Sequence, residues 1–502
     1  MHPSTLAKRV YLLLFAIIIV FYFYGLGKLP LLGPDEPRYA QVAREMFLNR
    51  DLITPTLGGH PWFEKPALLY WMIVASFKVF GVSEWSARLG PAVCGLLTVV
   101  AVWCVGLGLN GAPPWSAVPW HRFGKNYQSA NKLAHSKEAP NFPYWGVVVC
   151  ASCLGLVVFS RAASFDVVIT MTATWSLAFF LLHELPSTKN KRLLLAGFYV
   201  FVGLSLLAKG LVGIVVPFGV VGLYYLFRRA WPARSVWLSL VWGVPLALLV
   251  AATWYGPVIA RHGWTFIDEF FVQHHFARFV SNKYHHPQPF YFYPAIILML
   301  ALPWSVHLIV ALVKARGWEW RGADSASLVR VFSMAWLLLP IVFFSFSGSK
   351  LPGYILPALP AAALLVADRL TINQKMRWPL VIAGAAMLLV VIVLNFFAAP
   401  FARRESVKDL LALADARGYA NAPVIAQRGD DRSAEFYAYG RVIYRTDGEV
   451  MTFDEISVDD ARARGSKFVV FIPVRYVENY RGAPRIEIIG DNGHTAVLGW
   501  QP

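Results

Sequence analysis

Long apolar runs recur along this chain, separated by polar stretches that are mostly too short to form domains of their own. A bilayer core about 30 Å thick is crossed by roughly 20 apolar residues of helix, and about eleven runs approach that length. They lie near residues 10–27, 88–108, 144–160, 164–182, 193–208, 210–227, 236–258, 291–312, 331–347, 353–369 and 378–398. A chain built this way is constrained to a bundle of spanning helices, because lipid offers no partner to a free backbone N–H or C=O. The balance of residues agrees. The 502-residue chain is 57% hydrophobic and 15% charged, with a mean hydropathy of +0.51, whereas soluble domains carry about 25% charged residues. Aromatic residues at 15%, including 19 Trp, suit interfacial belts. Residues 66–80 are shorter and contain Lys78. They are read as an interfacial or re-entrant helix, since a span there would invert everything after it.

The formal charge of +17 comes from basic residues scattered between the apolar runs. That spread excludes a nucleic-acid-binding patch and fits loop charges that fix topology, some of them near lipid phosphates. With the N-terminus inside, the inner loops carry Lys8 and Arg9; Arg122, Lys125, Lys132 and Lys137; Lys189, Lys191 and Arg192; and Arg228, Arg229 and Arg234. Further on they carry Lys314, Arg316, Arg321 and Arg330, then Arg369, Lys375 and Arg377. The short opposite turns hold the single cations Arg161, Lys209 and Lys350, which resist this trend and ask for another explanation. The first run follows Lys8-Arg9 without a small-residue cleavage site, as a retained signal anchor does. Cys150 and Cys153 form a C-x-x-C inside an apolar run and read as packing residues.

Two regions are expected. Residues 1–399 form the spanning domain, with interfacial helices within 28–87 and a long polar inner loop at 109–143. Residues 400–502 have the composition of a small α/β domain, with helices over Ser406–Gly418 and Ser433–Tyr439 and strands over Pro423–Gln427 and Lys467–Val474. An odd number of spans places this second domain outside, in the periplasm of a Gram-negative inner membrane.

The unusual polar residues gather on the same outer side. Gly33-Pro34-Asp35-Glu36-Pro37-Arg38-Tyr39-Ala40 follows the first run, and Pro37 suits the first turn of a helix, where its missing N–H costs nothing. Asp35 and Tyr39 then share one face. Glu64 and Lys65 precede Pro66 and Tyr70; Asp166 lies near Arg161; residues 259–290 hold His274, His275 and Arg278; and Ser349-Lys350-Leu351-Pro352-Gly353-Tyr354 forms a late turn. Ionisable residues at so many helix ends on one side read as a site. Several cations with a tyrosine hydroxyl suit a phosphate, and carboxylates suit a general base or sugar recognition. Asp35, Glu36 and Asp166 are among the carboxylates on this side, and Lys65, Arg278, Lys350 and Tyr354 are among the groups open to a phosphate. Arg38, Tyr39 and Tyr70 are candidates for substrate contact, and Glu64 with His274 for a divalent cation such as zinc. A transporter would instead carry ionisable residues at mid-membrane in broken helices related by an internal repeat.

Pro34–Ala40, Glu64-Lys65-Pro66-Ala67-Leu68-Leu69-Tyr70-Trp71 and Ser349-Lys350-Leu351-Pro352-Gly353-Tyr354-Ile355-Leu356-Pro357 together resemble the bacterial relatives of protein O-mannosyltransferases. Within that GT-C group the pattern is most similar to the aminoarabinose transferases of lipid A, and the resemblance covers residues 1 to about 400. It implies an α-helical polytopic GT-C membrane fold with a small C-terminal periplasmic α/β domain. The implied activity is an inverting, nucleotide-independent transfer of 4-amino-4-deoxy-L-arabinose from undecaprenyl phosphate to a lipid A phosphate or similar periplasmic acceptor. The alternative is a hexose donor with a protein or glycan hydroxyl as acceptor. Carried over by position, Asp35 is the catalytic-motif carboxylate and Asp166 the second acidic position. Lys65, Arg278 and Tyr354 grip the carrier phosphate, and Glu64 and His274 form a metal pair. Membrane lipids are the remaining partners, with no nucleic acid, and a monomer is expected. His275 departs from the usual Asn, the 109–143 loop is unusually long, and the C-terminal domain carries no recognisable motif.

Overall fold

The computed structural model describes residues 13, 15–109, 142–277, 288–372, 378–425, 432–445, 450–451 and 467–501. Most of the 109–143 loop, residues 110–141, and Arg278 fall outside the described residues, as do the side chains of His275 to Ala277. Among the described residues, seven helices are long and apolar enough to cross a membrane, or eight if one bent pair counts as a single span. Of the other apolar runs, 210–227 forms a shorter helix, 291–312 forms two helices, and the first run lies partly outside the described residues.

After the first apolar run come α1 (Asp35–Asn49), α2 (Leu68–Phe80) and the long α3 (Glu84–Leu109). With 13 residues, α2 is about 20 Å long at 1.5 Å per residue, well short of the bilayer core. The run at 144–160 is the bent pair α4 (Phe142–Ser152) and α5 (Leu154–Ser160), which meet at 58°. The break has a local cause. Cys153 adopts an extended ψ of 125°, and the Leu154 N–H leaves the helix ladder to donate to the Leu302 carbonyl at 2.8 Å. All four cysteines are free and buried.

Next come α6 (Phe165–Glu184), α7 (Lys191–Lys209) and α8 (Val212–Arg228), then α9 (Arg234–Ile267), continued by a π-helical stretch over Asp268–Ala277. The run at 291–312 is α10 (Phe292–Leu300) and α11 (Ser305–Lys314), separated around Pro303, which has no N–H to continue a helix. The spanning part closes with α12 (Ser325–Ser345), a 3-10 stretch over Pro352–Ala358 leading into α13 (Leu359–Ile372), and α14 (Trp378–Ile392), which runs on through residues 393–404. One continuous buried core unites these helices, from Ile18 and Tyr22 of the first run to Ala383 of α14.

Beyond residue 404, α15 (Lys408–Ala414) packs on a four-stranded sheet. Its strands are β3 (Val424–Ile425), β4 (Phe468–Pro473), β5 (Ile486–Asp491) and β6 (Thr495–Trp500), numbered after a small hairpin of β1 (Thr56–Leu57) and β2 (His60–Pro61). The order is β3-β4-β6-β5, with β3 and β4 parallel and the other pairs antiparallel. Strand β4 reads as a continuous apolar run because both its faces are covered. Val469 and Phe471 join Leu410, Leu411 and Tyr419 on one side, while Phe468, Val470 and Ile472 join Leu498 and Trp500 on the other. The helix α16 (Ser433–Tyr437) docks this unit onto α1. The Tyr437 hydroxyl accepts from the Leu31 N–H at 2.8 Å and donates to Glu84 Oε1 at 3.1 Å, and Arg44 donates to the Phe436 carbonyl at 3.0 Å.

Candidate active site

The start of α1 is fixed by a buried ion pair. Gly33 takes a left-handed φ of 64°, which turns the chain out of the first span and into Pro34, the residue preceding α1. Glu36 is 7% exposed, and its carboxylate accepts from the Leu32 N–H at 2.9 Å and the Ala163 N–H at 2.6 Å. Arg88 Nε and Nη2 complete it in a bidentate grip at 2.9 and 2.7 Å. The remaining Arg88 donors reach the carbonyls of Leu26, Leu29 and Pro30 at 2.7–2.8 Å. With every donor and acceptor used, this pair staples the 26–36 turn to α3 and to the loop before α6. The sequence groups Glu36 with the catalytic carboxylates; the structure gives it a positioning role, because no lone pair is left for a reacting group.

Asp35, one residue earlier, faces the opposite way. Its carboxylate is 53% exposed and pairs with Arg38 one turn on. Arg38 also lies 3.4 Å from Glu64 Oε2, and its guanidinium stacks 5.4 Å from the rings of Tyr39 and Trp62. Burial works to lower the Arg38 pKa, but the negative charge of Glu64 and Asp35 outweighs it, so the guanidinium stays firmly protonated. Burial first, then Asp35 and Glu64, holds the Tyr39 phenol well above its ordinary value.

A cavity of about 310 Å³ opens between these elements. Asp35, Glu36 and Tyr39 of α1 line it with Glu64, Lys65, Asp166, Lys209, His274 and Tyr354. Asp166 comes from the first turn of α6 and Lys209 from the last residue of α7, each at the helix end that favours its charge. These antiparallel neighbours bring the two side chains into a close ion pair. The Lys209 ammonium also lies 4.5 Å from the centre of the Tyr354 ring. Lys65 Nζ donates to Glu64 Oε1 at 2.7 Å. Each cavity carboxylate therefore faces a cation: Asp35 with Arg38, Glu36 with Arg88, Glu64 with Lys65, and Asp166 with Lys209.

Asp35, Glu36, Tyr39, Glu64, Lys65, Asp166, His274 and Tyr354 thus converge as the sequence suggests, with Arg38 behind them. Tyr70 is fully buried, its ring 5.3 Å from that of Phe165 and its hydroxyl without a hydrogen-bond partner among the described residues. Lys350 is a correction. Its ammonium turns into its own loop to donate to the Ser347 carbonyl at 2.8 Å, and it does not line the cavity. Lys209 stands where Lys350 was expected. In sequence Lys209 is a lone cation in a short turn between apolar runs, but so is Arg161. Arg161 instead donates to the carbonyls of Phe21 and Tyr24 at 2.9 and 2.6 Å and caps the first span.

Glu64 and His274 line one cavity and offer two metal ligands. Glu64 already holds the charges of Lys65 and Arg38, and no group of three His, Cys, Asp or Glu side chains converges among the described residues.

Residues 64–110 match the family described as dolichyl-phosphate-mannose-protein mannosyltransferase. The chain is 31% identical over 366 residues to the undecaprenyl phosphate-alpha-4-amino-4-deoxy-L-arabinose arabinosyl transferase of Pseudomonas aeruginosa (strain LESB58), covering 71% of this chain and 58% of that one. It is 28% identical over 361 residues to the enzyme of the same name from Aeromonas salmonicida, covering 70% and 58%. The chain therefore spans less than two thirds of the length of these curated relatives. The crystal structure of ArnT from Cupriavidus metallidurans bound to undecaprenyl phosphate superposes with a TM-score of 0.75 over 98% of both chains, at 20% identity. The archaeal oligosaccharyltransferase AglB from Archaeoglobus fulgidus follows at 0.50 and 13% identity, over 94% of this chain and 70% of its own. The chain has the GT-C fold of these structures, and its sequence is similar to the undecaprenyl phosphate-aminoarabinose arabinosyl transferases.

Proposed function

We propose that this protein is an inverting glycosyltransferase of the inner membrane that moves 4-amino-4-deoxy-L-arabinose from undecaprenyl phosphate to a lipid A phosphate or similar acceptor at the periplasmic face. The observation that carries the reading is the convergence of Asp35, Glu64, Lys65, Asp166, Lys209 and Tyr354 from separate segments in one cavity. In the transfer, the bond from the sugar's anomeric carbon to the carrier phosphate breaks, and an acceptor oxygen bonds that carbon from the opposite face. The electron pair stays on the departing phosphate. Lys65 and the Lys209–Tyr354 pair are the cavity groups assigned to stabilise that charge, the usual largest contribution in such sites, and the resemblance adds Arg278, which lies outside the described residues. The lysines are preorganised by Glu64 and Asp166, so little is lost in ordering them when phosphate arrives.

Asp35, exposed at the mouth, faces the acceptor side. A phosphate acceptor is already an anion and has no proton to lose, so Asp35 then orients the sugar or the acceptor. The test is direct: purified protein given undecaprenyl-phosphate-linked aminoarabinose and lipid A. Mass spectrometry is expected to show lipid A gaining one aminoarabinose. Intact donor and unmodified lipid A, from a protein that binds undecaprenyl phosphate, would overturn the acceptor assignment.

A further inference from the structure

Away from the cavity, two clefts meet at Lys28, just past the outer end of the first span. One is lined by Phe21, Tyr24, Arg161, Val391 and Asn395, between the first and last spans. The other, of about 90 Å³, is lined by Lys28, Pro30, Arg403, Ser406, Lys408 and Asp409. One water needs roughly 10–15 Å³ of such space, so the second cleft has room for a phosphate group. The charges around it are mainly positive. Lys28 donates only to neutral oxygens among the described residues, to the Tyr24 hydroxyl at 2.8 Å and Asn395 Oδ1 at 3.0 Å. Arg403 is 71% exposed and lies 3.9 Å from Asp409, a loose pair. Lys408 is held by Glu84. These cations sit on the side of the bilayer that the positive-inside trend leaves poor in basic residues, so topology does not account for them.

The surface next to the cleft is suited to lipid. The helix over Trp378–Arg404 is almost naked, with 6% of its apolar window buried. Phe396, Phe397 and Phe401 are 72%, 68% and 62% exposed, immediately before Arg403. Acyl chains lying along this helix would bring a headgroup to the height of Lys28 and Arg403. We propose that Lys28 and Arg403, supported by Lys408, form a second phosphate site outside the reacting cavity, which takes the phosphate of an anionic membrane lipid. Charge-assisted donors of this kind suit phosphate oxygens, and basic pockets between spans are a known way of holding anionic headgroups.

The test uses the full-length protein in nanodiscs of phosphatidylglycerol or phosphatidylcholine. Native mass spectrometry counts retained lipid for the wild type, for Lys28→Gln/Arg403→Gln and for the charge-keeping Lys28→Arg. Wild type and Lys28→Arg are expected to retain one more phosphatidylglycerol than the double variant, with occupancy falling at least about tenfold, the equivalent of about 1.4 kcal/mol. No such difference is expected in phosphatidylcholine. A calorimetric titration with inorganic phosphate in neutral detergent separates the sources. Phosphate binding lost in the double variant, with lipid retention unchanged, would keep the phosphate site and reject the lipid. Unchanged lipid retention and unchanged phosphate binding together would overturn the proposal. Should the double variant fail to fold, the exposed Lys28→Gln alone carries the same comparison.

Discussion

At the scale of single residues, the adjacent carboxylates Asp35 and Glu36 have opposite fates. Asp35 points to water and the cavity mouth, while Glu36 is consumed by Arg88 and two backbone N–H groups. Their variants are expected to fail differently. Asp35→Asn should lower transfer roughly a hundredfold or more, the scale of a lost acid–base or orienting carboxylate, with an unchanged melting temperature. Glu36→Ala strands a buried guanidinium and should destabilise the protein by about 3–5 kcal/mol, seen as a lowered melting temperature in detergent. Equal melting temperatures for the two variants would contradict this division of labour. The distinction was not legible in the sequence. Asp-Glu at a helix start looks the same whichever residue turns inward, and Arg88 lies 52 positions away.

At the scale of elements, the reacting groups are set by where helices end and what lies against those ends. The turn at Gly353 packs so closely on the first turn of α6 that a Cβ there would overlap the Asp166 carboxylate and crowd Phe159. Gly353→Ala should therefore push Asp166 away from Lys209 at a cost of about 1–3 kcal/mol, the usual range for overpacking. Transfer should drop while the helical circular-dichroism signal is kept. Wild-type activity would show that the Asp166–Lys209 geometry is not needed.

The loop 51–54 is anchored in a second way. Asp51 accepts from the Ile53 and Thr54 N–H groups at 2.9 and 3.3 Å and from Arg261 of α9 at 2.5 Å. Partial burial raises its pKa, but these donors outweigh it and the net direction is down. A carboxylate that holds its proton less tightly when folded contributes its stability above the unfolded pKa of about 3.9 and loses it as the pH falls through the lower folded value. Hydrogen exchange in residues 51–54 should accelerate below about pH 4 in the wild type. In Asp51→Asn it should be insensitive to pH after correction for intrinsic rates. A matching acid-dependent loss of protection in that variant would remove Asp51 from the anchor.

For the whole molecule, the arrangement requires the C-terminal sheet unit and the cavity to lie on the same side of the membrane, because Arg44 joins that unit to α1 and Tyr437 joins it to Leu31, just before α1. The four native cysteines are buried, so introduced thiols can report sidedness without background. In intact cells, an impermeant thiol reagent should label Glu478→Cys, whose native side chain is 71% exposed. It should spare Lys189→Cys, in the exposed turn between α6 and α7, until the membrane is opened. The reverse pattern would mean that the sheet unit and cavity face the cytoplasm.

Properties that depend on local composition could be read from the sequence alone. The apolar runs required a helical bundle, the basic loops suggested a sidedness, and the polar helix ends marked where to look for a site. The same reading found Ser433–Tyr437 as a helix and Phe468–Pro473 as a strand, each within a residue or two. It missed β5 and β6, whose sequences are broken by Gly490, Asp491 and Gly499 and which are held by pairing across the sheet. Only the tertiary structure decided which lone turn cation lines the cavity. Arg161, Lys209 and Lys350 carry the same local signal, yet one caps a helix, one meets Asp166 and one folds back on its own loop. The reason is geometric: composition and spacing put a charge at a helix end, but the partner it meets depends on how helices distant in sequence rotate and pack against each other.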